Sequence, residues 1–259
     1  MNAVIKIVAL AGTLTAAAFG GRAFTGSRGN THTGNLAPAK GFAVIELFTS
    51  EGCSSCPPAD ELIARIQNED KDQPVYILAY HVDYWNRLGW TDTFSSAFYS
   101  RRQSQYVSWL NLQSAYTPQV VVNGKKEFVG SEEATLRSSI KADLQAPSPA
   151  LLTLSNVKTE KGQVSLQYNT QRAGKNTSLL LAIVQRSAST KVGAGENSGR
   201  TLSHVQIVRN LQVLAVGSNN SGDGQISLPA GVNAQDAEVI AFLQNTDTGE
   251  IIAATRSAL

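Results

Sequence analysis

Sulfur and imidazole are scarce in this chain: among 259 residues there are two cysteines, one methionine and three histidines. The cysteines are Cys53 and Cys56, the methionine is Met1, and His32, His81 and His204 are scattered. A structural zinc site therefore has no second cysteine pair to complete it, and a copper-binding surface has little to build from. Net charge is also missing. The formal +2 comes from 22 basic against 20 acidic residues, and Lys6 and Arg22 account for the excess. Arg101-Arg102 and Lys125-Lys126 are the only notable basic clusters, so no nucleic-acid footprint is present. There is no G-x-S-x-G elbow, and no glycine loop ending in Lys-Ser or Lys-Thr to hold a phosphate. No cofactor is expected.

The first 23 residues hold Lys6, then Ile7-Val8-Ala9-Leu10 and Ala16-Ala17-Ala18-Phe19. They read as a secretory signal cleaved after Gly20 or Ala23, with no cysteine following to carry a lipid. The stretch is short and alanine-rich for a membrane span, so no stable span is expected after cleavage. An exported bacterial protein follows, periplasmic or secreted, in a compartment where disulfides persist. Residues 24–40 carry no apolar period and read as a flexible leader.

From Gly41 the pattern predicts a buried strand (42–48), a helix (57–68) and a second strand (75–80), a βαβ unit. Pro57 and Pro58 suit the first helical turn, and Asp60 and Glu61 suit the positive end of its dipole. Residues 82–115 are dense in aromatics and predict a mainly helical insertion. Val120-Val121-Val122-Asn123-Gly124 predicts a hairpin, and Ser131 is the expected cap of a helix reaching 144. After Pro147-Ser148-Pro149, alternation dominates from 150 to 259 and predicts a separate small β-sandwich. The expected architecture is thus an α/β domain (41–147) followed by an all-β domain (150–259).

Chemistry concentrates at Cys53-Ser54-Ser55-Cys56. A disulfide closing so short a loop contributes only about 2 kcal/mol through chain entropy. Stapling is therefore a weak reason for it. Reversible exchange is a better one, because a thiolate at a helix N-terminus is stabilised by free N–H groups and the helix dipole.

The run Glu46-Leu47-Phe48-Thr49-Ser50-Glu51-Gly52-Cys53-Ser54-Ser55-Cys56-Pro57-Pro58, with Asp83-Tyr84-Trp85 and Tyr116-Thr117-Pro118-Gln119, resembles an exported bacterial family of unknown function with a thioredoxin-like domain. The family also carries a segment like Gly195-Glu196-Asn197-Ser198-Gly199-Arg200. This resemblance implies that Cys53 is the exposed nucleophile, Cys56 the buried resolving thiol, and Thr117-Pro118 a cis-proline loop facing the disulfide. It also makes Glu46 a candidate buried acid near Cys56. Ser54-Ser55 departs from the dipeptides of thioredoxins and of strongly oxidising relatives, so it does not fix the reduction potential.

His81, Asp83, Tyr84 and Trp85 follow the second strand, the end of an α/β sheet where ligands gather, and are expected to line the site or to be core. Glu51, beside Cys53, either lines the site, where it would raise the thiolate pKa, or is simply solvated, the expected case. Glu196, Arg200 and His204 either form a surface connection, with Glu196 paired to Arg200, or pack the β-domain against the redox loop or a client. The leading expectation is a thiol-disulfide oxidoreductase with protein thiols and disulfides as partners and an unknown redox partner. The alternatives are copper handling through the cysteines and His81, and a non-catalytic binding module.

Overall fold

Every side chain of strand β1 (Ala43–Thr49) is buried, and the pleat sends alternate residues to opposite faces. In the computed structural model, which describes residues 40–217 and 219–259, that alternation organises the first half of the chain. The signal and leader readings for residues 1–39 lie outside the described residues. Ala43, Ile45 and Leu47 are covered by helices α1 (Pro57–Glu69) and α3 (Glu133–Gln145) through Leu62, Ile63, Ile66, Leu136 and Ile140. Val44 and Phe48 face the other way, against Tyr99 and Tyr106 of helix α2 (Ala97–Trp109).

Strand β2 (Val75–His81) runs parallel to β1, and the hairpin β3 (Gln119–Val122) and β4 (Lys126–Val129) pairs antiparallel on its other side. Asn123 and Gly124, with φ of 48° and 66°, are the left-handed central pair of the turn that the Lys125 N–H closes onto the Val122 carbonyl. A Cβ on Gly124 would lie 1.9 Å from the Gly249 carbonyl oxygen, so glycine is needed for space as well. The Asn123 amide accepts from the Val44 N–H and donates to the Phe42 carbonyl, tying the turn to β1.

Seven further strands follow: β5 (Leu151–Glu160), β6 (Gln163–Gln171), β7 (Thr177–Lys191), β8 (Thr201–Ala215), β9 (Ser221–Ser227), β10 (Ala237–Asn245) and β11 (Ile251–Ala258). They do not form the separate sandwich expected from sequence. Four of them extend the first sheet, giving one mixed eight-stranded sheet in the order β11-β10-β7-β8-β2-β1-β3-β4, while β5, β6 and β9 form a three-stranded sheet. The thioredoxin-like domain followed by an independent β-domain is therefore incorrect for this chain, which is mostly β and continuous from residue 40 onward.

The reason lies in β7 and β10, which are buried on both faces. Leu179, Leu181 and Ile183 of β7, with Val239, Ala241 and Leu243 of β10, meet the three-stranded sheet. Leu180, Ala182 and Val184, with Ile240 and Phe242, instead join the core beneath α2, together with Val44, Phe48 and Tyr80 from the first half. An independent sandwich sheet would leave that second face to water.

Residues 82–115 are not mainly helical. They hold α2 and a short 3-10 turn at Asn86–Leu88. Ser131 does not cap α3, whose N-cap is Glu132 without a side-chain bond. Strands β7 and β8 each run for 15 residues and pair as far as Lys191 and Thr201. That extension carries the hairpin tip, residues 192–200, to the cysteine loop.

Candidate functional site

Cys53 and Cys56 are joined in a disulfide at the head of α1, with Cys56 as its N-cap and Pro57 and Pro58 next. The Ser55 hydroxyl lies 3.3 Å from Cys53 Sγ. Ser54 and Ser55 are exposed, but both cysteines are completely buried. This corrects the expectation of an exposed Cys53.

The hairpin tip between β7 and β8 is bonded to this loop. Asn197 Nδ2 donates to the carbonyls of Glu51 and Cys53, each at 2.9 Å, and Glu196 Oε2 accepts from the Ser54 N–H at 2.9 Å. Arg200 donates to Asn197 Oδ1 at 2.8 Å rather than pairing with Glu196. Hydrogen bonding to Ser54 holds the Glu196 carboxyl below its ordinary pKa. The structure thus brings the Glu196–Arg200 segment onto the redox loop.

Behind the loop lies a cluster of buried ionisable groups. Glu51, expected in solvent, is buried: its carboxylate accepts from Trp90 Nε1 at 2.7 Å, and its other oxygen stands 3.4 Å from His204 Nε2. Asp92 Oδ2 accepts from the Glu51 N–H at 2.9 Å and lies 2.7 Å from His81 Nδ1. The His81 and His204 rings meet edge to face with centroids 4.7 Å apart. His81 Nε2 and both nitrogens of His204 have no hydrogen-bond partner among the described residues.

Asp60, one turn beyond Cys56 on α1, completes the cluster by accepting from the Thr49 hydroxyl at 3.2 Å. Burial pushes its pKa up to about 7, against the opposing pull of His204 and the Thr49 bond, while Asp92 and Glu51 add to the rise. Asp92 goes the other way. Burial alone would raise it, but His81 and the N–H groups of Glu51 and Phe94 together hold it below its ordinary range.

Glu46 is not part of this group. As an even-numbered residue of β1 it faces α2, where Arg102 Nε donates to it at 2.6 Å and the Tyr106 hydroxyl also donates. Cys56 belongs to α1 on the opposite face, so the candidate acid beside the resolving cysteine is a buried ion pair elsewhere.

The Thr117-Pro118 bond is cis. Thr117 Oγ1 accepts from Trp85 Nε1 at 2.9 Å, and Trp85 Cβ and Pro118 Cβ would stand 3.1 Å and 3.2 Å from Cβ atoms added at Gly52 and Gly130 respectively. Trp85 therefore links the cis-proline loop to the cysteine loop. Asp83 and Tyr84 turn instead to α2, where Asp83 bonds Ser100 and Tyr84 donates to Gln103.

Sequence reasoning missed Asp92 and the burial of Asp60. Nothing in Thr91-Asp92-Thr93 signals the former, and Asp60 reads locally as a helix-dipole acid. Among the described residues, no group of three or more His, Cys, Asp or Glu side chains is arranged to hold a metal ion, and no helix is long and apolar enough to cross a membrane.

Fold and site together define a mixed-sheet protein with a buried two-cysteine disulfide under a hairpin cap. Residues 44–244 match the family described as protein of unknown function (DUF1223), and the chain belongs to that family. A crystal structure of an Agrobacterium tumefaciens protein is similar, with 26% identity and a TM-score of 0.64 over 85% of this chain and 95% of that one. HBP35 of Porphyromonas gingivalis shares the fold at 19% identity and a TM-score of 0.62, over 85% of this chain and 76% of its own. No curated protein matches the chain.

Proposed function

We propose that this protein is an exported thiol-disulfide exchange protein acting on protein thiols and disulfides through Cys53 and Cys56. The observation that carries the reading is the disulfide at the head of α1, too short in span to matter as a staple, with a hydroxyl beside Cys53 Sγ and a buried acid one turn beyond Cys56. The signal-like N-terminal sequence supports export, and a disulfide is compatible with it.

In one direction, the hairpin tip moves off the cysteine loop to uncover the buried Cys53, and a client thiolate attacks its Sγ. The Cys53–Cys56 bond breaks, and Cys56 leaves as a thiolate that takes up a proton. A second client thiolate then attacks the client sulfur of the mixed disulfide, and Cys53 leaves as a thiolate. Two client thiols have become a disulfide, and two electrons rest on the cysteine pair. The same steps reversed reduce a client disulfide. Asp92, which accepts from the Glu51 N–H and contacts His81, ties the loop behind the disulfide into a buried, water-poor setting.

The test is a trap. Cys56→Ser, reduced and mixed with a disulfide-bonded model peptide, should accumulate a dithiothreitol-reversible adduct on Cys53, read by mass. No adduct between pH 6 and 9 would reject the reading.

A further inference from the structure

The hairpin tip delivers a carboxylate to the cysteine loop from 142 residues away, and that carboxylate has a chemical consequence for the pair. We infer that Glu196 is a positioning residue that suppresses the reactivity of Cys53, by placing a negative charge on the backbone amide beside the sulfur and so opposing formation of the thiolate. This rests on the thiol-disulfide exchange reading and deepens it.

Three observations support the assignment. The acceptor is the N–H of Ser54, the residue next to Cys53, in the segment leading into α1 where a thiolate would draw on free N–H groups. The contact is held in place rather than incidental, because neighbouring Asn197 is 1% exposed and bridges the carbonyls on both sides of Gly52. Gly193 and Gly195 lie against Trp90, which itself donates to Glu51, so the tip is anchored at two points of the same loop. Glu196 is ionised at neutral pH, since the Ser54 bond lowers its pKa.

Other charges around Cys53 act alongside it. Glu51 on the same loop and Asp60 on α1 add negative charge when ionised, with Asp92 behind them. Arg200 on the tip, and His204 on β8 and His81 on β2 when protonated, oppose it. Glu196 differs from the buried groups in being at the surface, which makes its influence screenable by salt.

Reduction by a dithiol breaks the Cys53–Cys56 bond and leaves two electrons on the pair, with protons taken from solvent in proportion to each thiol's pKa. An anion beside Cys53 disfavours the thiolate form of that product. Replacing Glu196 by a neutral isostere therefore makes the reduced Cys53 more reactive.

The experiment compares dithiothreitol-reduced full-length wild type, Glu196→Gln and the distant control Glu250→Gln, by iodoacetamide alkylation of Cys53 across pH 5 to 9 at 0.05 M and 1 M salt. Glu196→Gln keeps an acceptor for Ser54 and alters an exposed side chain. At low salt it should alkylate about three-fold faster below the Cys53 pKa, as expected for one surface charge bonded to the amide next to Cys53, with the pH profile moved to lower pH. The difference should largely vanish at 1 M salt, and Glu250→Gln should match wild type. A Glu196→Gln profile identical to wild type, or a shift that persists in 1 M salt, overturns the inference. Failure of the exchange reading is separate, because it shows in the Cys56→Ser trap and not in this comparison.

Discussion

Asn197 Nδ2 donates to the Cys53 carbonyl at 2.9 Å, joining the tip of the β7–β8 hairpin to the cysteine loop across 144 residues of sequence. The same nitrogen donates to the Glu51 carbonyl, so one amide closes two backbone acceptors that are otherwise shut away from solvent. Asn197→Ala should lower stability by about 1–3 kcal/mol, the cost of leaving buried acceptors unpaired. It should also expose the disulfide, seen as faster dithiothreitol reduction under native conditions. Urea unfolding and a reduction time course read the two effects separately, and an unchanged reduction rate would mean that the tip does not cover the pair.

A second prediction separates stability from chemistry. Arg102 and Glu46 form a buried pair, with side chains 4% and 0% exposed, on the face of β1 away from α1. Arg102→Met leaves the Glu46 carboxylate without its cation and should cost about 3–5 kcal/mol. The Cys53–Cys56 reduction potential should stay at the wild-type value, because the pair lies across the sheet from the disulfide. A large change in potential would place Glu46 in the redox machinery after all.

Asp60 gives a pH signature. Its pKa is about 7 in the folded protein against 3.8 for the free side chain, so the folded state holds the proton more tightly than the unfolded state. Its contribution to stability is present below about pH 4 and is lost as pH rises through 7. Asp60→Asn removes that dependence, and the variant should gain on wild type between pH 4 and 8 by up to about 4 kcal/mol. Asp92, whose pKa is lowered, works in the opposite sense: its contribution is present above about pH 4 and fades as pH falls further. Denaturant midpoints from about pH 2 to 8 check both signs.

Local elements were legible because their signals are local. The prolines after Cys56, the Asn123-Gly124 turn and the nearly continuous apolar run of 42–48 each identify an element without reference to the rest of the chain. The joining of the halves was not legible. It depends on β8 reaching β2 at Ala79 and Ile207, and on Leu180 and Phe242 facing the core under α2, which are pairings between distant segments. A run such as Leu179–Val184 reads equally as the inner strand of a small sandwich and as the shared strand of a larger sheet. The site divides in the same way. Cys53 and Cys56 declare themselves by spacing, and Glu196, Arg200 and His204 were visible as an unusual stretch. Glu51 was visible only as a neighbour of Cys53, and its burial, like the role of Asp92, depends on the hairpin and the 83–96 loop closing over them.

Whether the disulfide is exchangeable is read straight from its reduction potential. Full-length protein equilibrated in glutathione buffers and read by thiol alkylation and mass shift should give a potential between about −120 and −270 mV, the range of disulfide-exchange proteins. A value below about −300 mV, the range of structural disulfides, would rule out exchange and leave Cys53–Cys56 as a fixed tie beneath the hairpin.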